Sequence, residues 1–176
     1  MVRCLTARQK QLEPLWSERC DVGLIARLLR AKDHPKLDPC VFVLRVRRTH
    51  GGKTCLVEAR SDQTFAELDL TIRRSLGYDT WDHCSGFFEG DPWESTPICE
   101  VHPGGSGPGG KLPLETLYHK KIAECGWVYD FGDNLCHTVT IEDIVTVDLA
   151  KQYPRAELPQ KRHSARRSKK SRVATK

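Results

Sequence analysis

The run from Tyr129 to Glu142 constrains this chain most. Tyr129-Asp130-Phe131-Gly132-Asp133-Asn134 leads into Leu135-Cys136-His137-Thr138-Val139-Thr140-Ile141-Glu142, and Ala123-Glu124-Cys125-Gly126-Trp127-Val128 precedes it. Two strand-like runs therefore flank a compact turn. Gly132-Asp133-Asn134 supplies the turn chemistry, because glycine reaches positive φ without steric cost and Asp or Asn bonds nearby backbone. The hairpin admits two readings. It could display Asp130, Asp133 and His137 for chemistry, or its carboxylates could cap the N–H groups of its own bend.

Earlier in the chain, Cys40–Arg48 and Thr54–Ala59 read as a second hairpin around Thr49-His50-Gly51-Gly52-Lys53. Arg45 and Arg47 share one face of its first strand at period two, either to meet phosphates or as a solvated face. A helix follows. Thr64 and Glu67 form a capping-box pattern, Phe65, Leu68, Ile72 and Leu76 make an apolar stripe, and Arg73 and Arg74 suit the negative end of the helix dipole before Gly77 stops it. Ser85–Phe88 and Ile98–His102 are short and strand-like. Pro103–Gly110 reads as a linker or mobile loop and not a phosphate loop, since no G-K-[ST] ending follows. Residues 1–37 carry Leu, Val and Ile at helical spacing up to His34-Pro35 and predict a helical extension.

Charge separates the chain into two parts. Nine of the 28 Lys and Arg, but one of the 23 acids, lie from Arg155 onward, which leaves 19 basic and 22 acidic residues before it. The body is mildly acidic and the basicity belongs to a tail. That tail lacks apolar anchors, so disorder is expected over 154–176. The eight cysteines form no C-x-x-C pair, and the first ten residues lack the apolar centre of a secretion signal. Buried free thiols and a cytoplasmic location are the expectation. No apolar run approaches the roughly 20 residues of a membrane span, so no membrane partner is expected.

Three stretches carry a resemblance. Thr64-Phe65-Ala66-Glu67-Leu68-Asp69, Asp82-His83-Cys84-Ser85-Gly86-Phe87, and Tyr129–Asn134 with His137-Thr138-Val139-Thr140 resemble motifs of the plasmid pRiA4b ORF-3-like family, whose members include a TnpR passenger protein of an insertion element. The chain departs from the family pattern at Leu135, where a tryptophan is usual, and at Cys136, where an acid often stands. The resemblance covers roughly residues 38–150. It implies a fold and a mobile-element setting, and it carries over no catalytic residue.

The expected architecture is α+β: hairpin–helix–hairpin, with a β-grasp-like mixed sheet and one main packed helix over 38–153. The expected function is that of a non-enzymatic accessory protein of a plasmid or mobile element. It would touch DNA or RNA weakly and non-specifically through Lys161, Arg162, Arg166, Arg167, Lys169, Lys170 and Arg172. One alternative is a metal-dependent hydrolase or nuclease on the acidic hairpin, with His83, Asp130, Asp133 and His137 as its candidate groups. Another is a module that binds a protein partner. Structural zinc wants two tight ligand pairs, and only Cys99-x-x-His102 approaches that spacing, so no metal or other cofactor is expected.

Overall fold

A computed structural model describes residues 39–157. The helical extension expected over 1–37 and the basic run from Lys161 to Arg172 lie outside the described residues.

Strand β1 (Cys40–Arg48) pairs with β2 (Thr54–Arg60) across a turn in which Gly51 and Gly52 take φ of 82° and 124°. Alternation assigns the faces: Phe42, Leu44 and Val46 are buried, whereas Arg45 and Arg47 are exposed. Helix α1 (Phe65–Leu76) starts on the capping box read from the sequence. Thr64 Oγ1 accepts from Glu67 N at 3.2 Å, and Glu67 Oε2 accepts from Thr64 N at 2.7 Å. Gly77 closes the helix at φ 78°, donating its N–H to Arg73 O.

β3 (Ser85–Phe88), β4 (Pro97–Val101), the short helix α2 (Glu115–His119), β5 (Glu124–Tyr129), β6 (Leu135–Thr146) and β7 (Arg155–Glu157) complete the domain. The sheet order is β4-β3-β5-β6-β1-β2-β7. The fold is α+β with one main helix. Every strand pair is antiparallel, so the sheet is not the mixed one suggested by the hairpin–helix–hairpin order. β6 runs through to Thr146, and Glu142 is the extra residue of a bulge opposite Val43 and Leu44. α1 touches β2 and β7 at one edge and β4 at the other, so the sheet wraps around it. Phe65, Leu68 and Ile72 of the helix meet Phe42, Leu44, Phe87 and Trp127 in the main core.

Two segments differ from their sequence reading. Arg155–Glu157, which the sequence groups with the disordered tail, form an edge strand because Arg155 grips Glu58 through two bonds of 2.8 and 2.7 Å. Pro103–Gly110 is a strap along β4 and not a linker. Glu100 N donates to Pro108 O at 2.8 Å, and Ala66 N donates to Gly110 O at 3.0 Å. A Cβ at Gly107 would stand 2.6 Å from Glu100 O, so glycine here permits backbone contact and does not serve flexibility.

A small, partly exposed aromatic cluster lies on the reverse face of β3 and β5, where Gly86 and Gly126 leave space. The Phe131 ring fits over Gly86, and Gly90-Asp91-Pro92 lies against Gly126. Trp93 joins Phe88 and Phe131 with ring centroids 5.1 Å apart in both pairs. Among the described residues no helix is long and apolar enough to cross a membrane.

Candidate functional site

The three motif stretches, far apart along the chain, meet around Arg73. This residue and Asp69 sit one turn apart on the buried side of α1, each almost fully enclosed. Arg73 Nε lies 2.7 Å from Asp69 Oδ2, a charge contact in which the N–H direction misses the oxygen. Asp69 Oδ1 accepts from Ser85 Oγ at 2.5 Å and from Trp127 Nε1 at 2.9 Å. Arg73 Nη2 donates to Ser85 Oγ at 3.0 Å, and Nη1 donates to the carbonyls of Asp82 and His83 at 3.0 and 3.1 Å. Its Cζ stands 5.0 Å from the centre of the Tyr129 ring. Burial raises the Asp69 carboxyl above its ordinary range, while Arg73 and then the bonds from Ser85 and Trp127 pull it back. A buried charge kept in this way needs all its partners.

By sequence, Arg73 complements the helix C-terminus from outside; in the fold it is buried instead. That burial has a local signal: an Asp and an Arg at i,i+4 stand within the stripe that also holds Leu68, Ile72 and Leu76. Sequence reasoning missed Asp69, Arg73, Ser85 and Trp127 as a unit because their partners come from three separate elements.

The hairpin turn resolves its two readings largely as capping. Asp130 Oδ1 accepts from Gly132 N at 2.9 Å and Asp133 N at 3.3 Å, and Asp130 O accepts from Asn134 N at 2.7 Å. Asp130 and Asn134 take φ of 56° and 53°, which their short polar side chains tolerate. Asn134 Oδ1 accepts from Trp93 Nε1 at 2.7 Å, tying the turn to the 90–93 loop. Asp133 is exposed.

His83 and Asp130 do come together, with Nδ1 2.9 Å from Oδ2. The imidazole is about two-fifths exposed and itself takes φ of 63°. His137 does not join them. It is buried, its Nδ1–H donates to Leu135 O at 2.8 Å, and its Nε2 accepts from Tyr78 Oη at 3.0 Å. Burial pushes its pKa down to about 4, which keeps the ring neutral. Tyr78 stacks on Tyr129 at 4.6 Å, and this pair stands between the two histidines.

The other candidates also separate. Cys99 is buried with its thiol pushed up to about 12 by burial, while His102 Nε2 is 3.2 Å from Glu100 Oε2. Cys136 contacts Asn134 Oδ1, with its thiol raised by burial. Among the described residues no three His, Cys, Asp or Glu side chains gather to hold a metal ion. Arg45 pairs with Glu142, so part of the basic strand face is neutralised.

Beside the Arg73 node lies a groove of about 420 Å³ between α1 and the loops at 79–82 and 101–105, lined by Ala66, Leu70, Arg74, Trp81, Val101 and His102 among others. Trp81 is 83% exposed there. Its turn is nevertheless fixed, because Asp79 Oδ1 accepts from Trp81 N at 2.6 Å and Asp82 N at 2.9 Å. These two bonds hold the Asp79 carboxyl below its ordinary range. Arg73 fastens the same turn from beneath.

No curated protein matches the chain. Its structure is similar to the crystal structure of a protein of unknown function from Methanosarcina mazei Go1 at a TM-score of 0.54. The identity is 21%, over 70% of this chain and 71% of that one. This likeness speaks for the fold. The family model described as plasmid pRiA4b ORF-3-like protein matches residues 56–163. That span takes in the helix, the Arg73 node and the hairpin turn, and the chain belongs to the plasmid pRiA4b ORF-3-like family.

Proposed function

We propose that this is a non-enzymatic accessory protein of a plasmid or mobile element. It contacts nucleic acid weakly and without reading sequence, through the cations between Lys161 and Arg172. The observation that carries this reading is the separation of charge. Eight of the 28 Lys and Arg lie beyond Glu157 with no acid among them, while three arginines of the sheet are matched within the domain. Arg45 faces Glu142, Arg60 faces Asp62 and Arg155 faces Glu58. A phosphate backbone would gain most from the tail, by counterion release. Two of the candidate groups have structural roles that favour the non-enzymatic side: one Asp130 oxygen orders a bend, and His137 is a neutral core residue.

The test is fluorescence anisotropy of a labelled random-sequence duplex at several salt concentrations. Each phosphate contact contributes about −0.9 to the slope of log K against log salt, so seven engaged cations give roughly −6. Replacing Lys161, Arg162, Arg166, Arg167, Lys169, Lys170 and Arg172 with serine should abolish the binding. Unchanged affinity in that variant would remove the tail from the account.

A further inference from the structure

We infer that the tip of the β1–β2 hairpin, with Arg47 and Arg48, is a second contact for a nucleic-acid phosphate backbone, made by the folded domain in addition to the tail. This deepens the reading above and rests on it. The first ground is charge that the fold leaves unmatched. From Cys40 to Val57 the sequence holds Arg45, Arg47, Arg48 and Lys53 and no Asp or Glu. Arg45 finds Glu142 on β6, whereas Arg47 and Arg48 form no ion pair within the described residues. Their neighbours across the sheet explain why. Arg47 lies between Thr54 and Thr138, and Arg48 lies beside the neutral His137. β6 itself brings no acid between Leu135 and Ile141. The 130–134 turn comes close, since Thr49 N donates to Cys136 O at 3.0 Å. Its Asp130 is taken by His83, and its exposed Asp133 pairs with none of these cations.

The second ground is the shape of the tip. Alternation puts Arg47 on the reverse face of the sheet and Arg48 on the face of His137, so the tip carries a cation on each side. The stem of Arg48 packs along Gly52, where an added Cβ would stand 3.3 Å from Arg48 Cδ. Lys53 is held too, with its Nζ donating to Leu76 O at 3.0 Å. Cations partly fixed before a partner arrives lose less side-chain freedom on binding.

The third is what the tip lacks. Thr49, His50, Gly51, Gly52 and Lys53 are exposed, while the nearest apolar side chains, Val46 and Cys55, are fully buried. A stable protein interface needs an apolar centre and a bilayer surface needs an apolar anchor. A phosphate backbone needs only cations, which release its counterions.

Two arginines add too little to hold a duplex by themselves, so the test keeps the tail. Anisotropy of a labelled random-sequence duplex is followed against salt for the full chain and for Arg47→Gln with Arg48→Gln. Each lost phosphate contact removes about 0.9 from the slope of log K against log salt, so the double variant should flatten it by about 2. Between about 50 and 200 mM salt the parent should then lose about 10-fold more affinity than the variant does. An unchanged slope overturns the proposal. Arg47→Lys with Arg48→Lys keeps both charges and should keep the parent slope; a slope flattened there as well places the effect in the fold and overturns the proposal. Arg60→Gln removes a charge that Asp62 already matches and should leave the slope alone. If it flattens the slope by about 1, net charge is acting and the site falls. The seven serine substitutions read the tail separately. Flattening in the hairpin variant, with parent-like binding in the tail variant, keeps the hairpin and removes the tail; the reverse pattern removes the hairpin. Phosphatidylserine vesicles are the last arm: a hairpin variant that loses vesicles and keeps the duplex overturns the choice of nucleic acid.

Discussion

Replacing Arg73 with methionine tests whether the motif stretches are joined by one buried charge. Methionine fills much of the same volume but carries no donor. Asp69 would keep Ser85 and Trp127 and lose its counter-charge, while the carbonyls of Asp82 and His83 would lose the donor that now stands at 3.0 and 3.1 Å. Both side chains of the pair are almost fully enclosed, at 2% and 3% exposure, so solvent offers little compensation. Removing one partner of such a pair costs about 3–5 kcal/mol. With a urea dependence of about 2 kcal/mol per molar, the unfolding midpoint of the full chain should fall by about 1.5–2.5 M. Tryptophan fluorescence follows the transition, since Trp127 is bonded to Asp69 itself. A domain with only about 5–15 kcal/mol of stability could be largely unfolded by this change, so Arg73→Lys provides the milder arm. Lysine restores the charge without the planar fork and should cost about half as much. Adding Asp69→Asn to Arg73→Met should cost at least about 1 kcal/mol less than the two single changes together, because the stranded carboxylate is gone. A loss below about 1 kcal/mol in Arg73→Met, with additive behaviour in the pair, would refute the reasoning.

Two further outcomes rest on single residues. His137 is neutral when folded, with its pKa lowered from 6.5 to about 4, so the unfolded chain takes up a proton that the folded one refuses as pH falls between those values. Its contribution is fully present above pH 6.5 and is lost toward pH 4, by at most about 3 kcal/mol, and His137→Gln should flatten that part of the stability profile measured by urea titration. Gly126→Ala should destabilise by about 1–3 kcal/mol and shift Trp93 emission to the red, because the new Cβ would meet Gly90 O at 2.5 Å and lift the 90–93 loop. An unchanged midpoint would mean that this loop does not pack on β5 as described.

The parts of the fold legible in the sequence are those set by neighbours a few positions apart. Thr64 and Glu67 announce the start of α1, Gly77 its end, and alternation in β1 and β6 assigns their faces. Capping by Asp130 is one of two readings that the sequence allows; its Oδ1 does cap Gly132 N, while its Oδ2 meets His83. The candidate site is less legible. Sequence puts His83 and His137 together as candidate groups of one site, whereas the Tyr78–Tyr129 stack keeps them apart. Glycine in Pro103–Gly110 reads as flexibility, and its actual use is contact with the β4 backbone. Composition cannot tell these apart, because a missing Cβ serves both.

By itself, then, the sequence determined the helix, the hairpins, the turn and the division into an acidic body and a basic tail, all of which depend on local pattern or on simple counting. Tertiary structure alone decided that Arg73 is a buried hub, that Arg155–Glu157 adds an edge strand and that Trp81 stands over a groove. The physical reason is distance along the chain. The cost of burying a charge, and the gain from adding an edge strand, depend on partners such as Ser85, Trp127 and Glu58, which only the folded chain brings within bonding range.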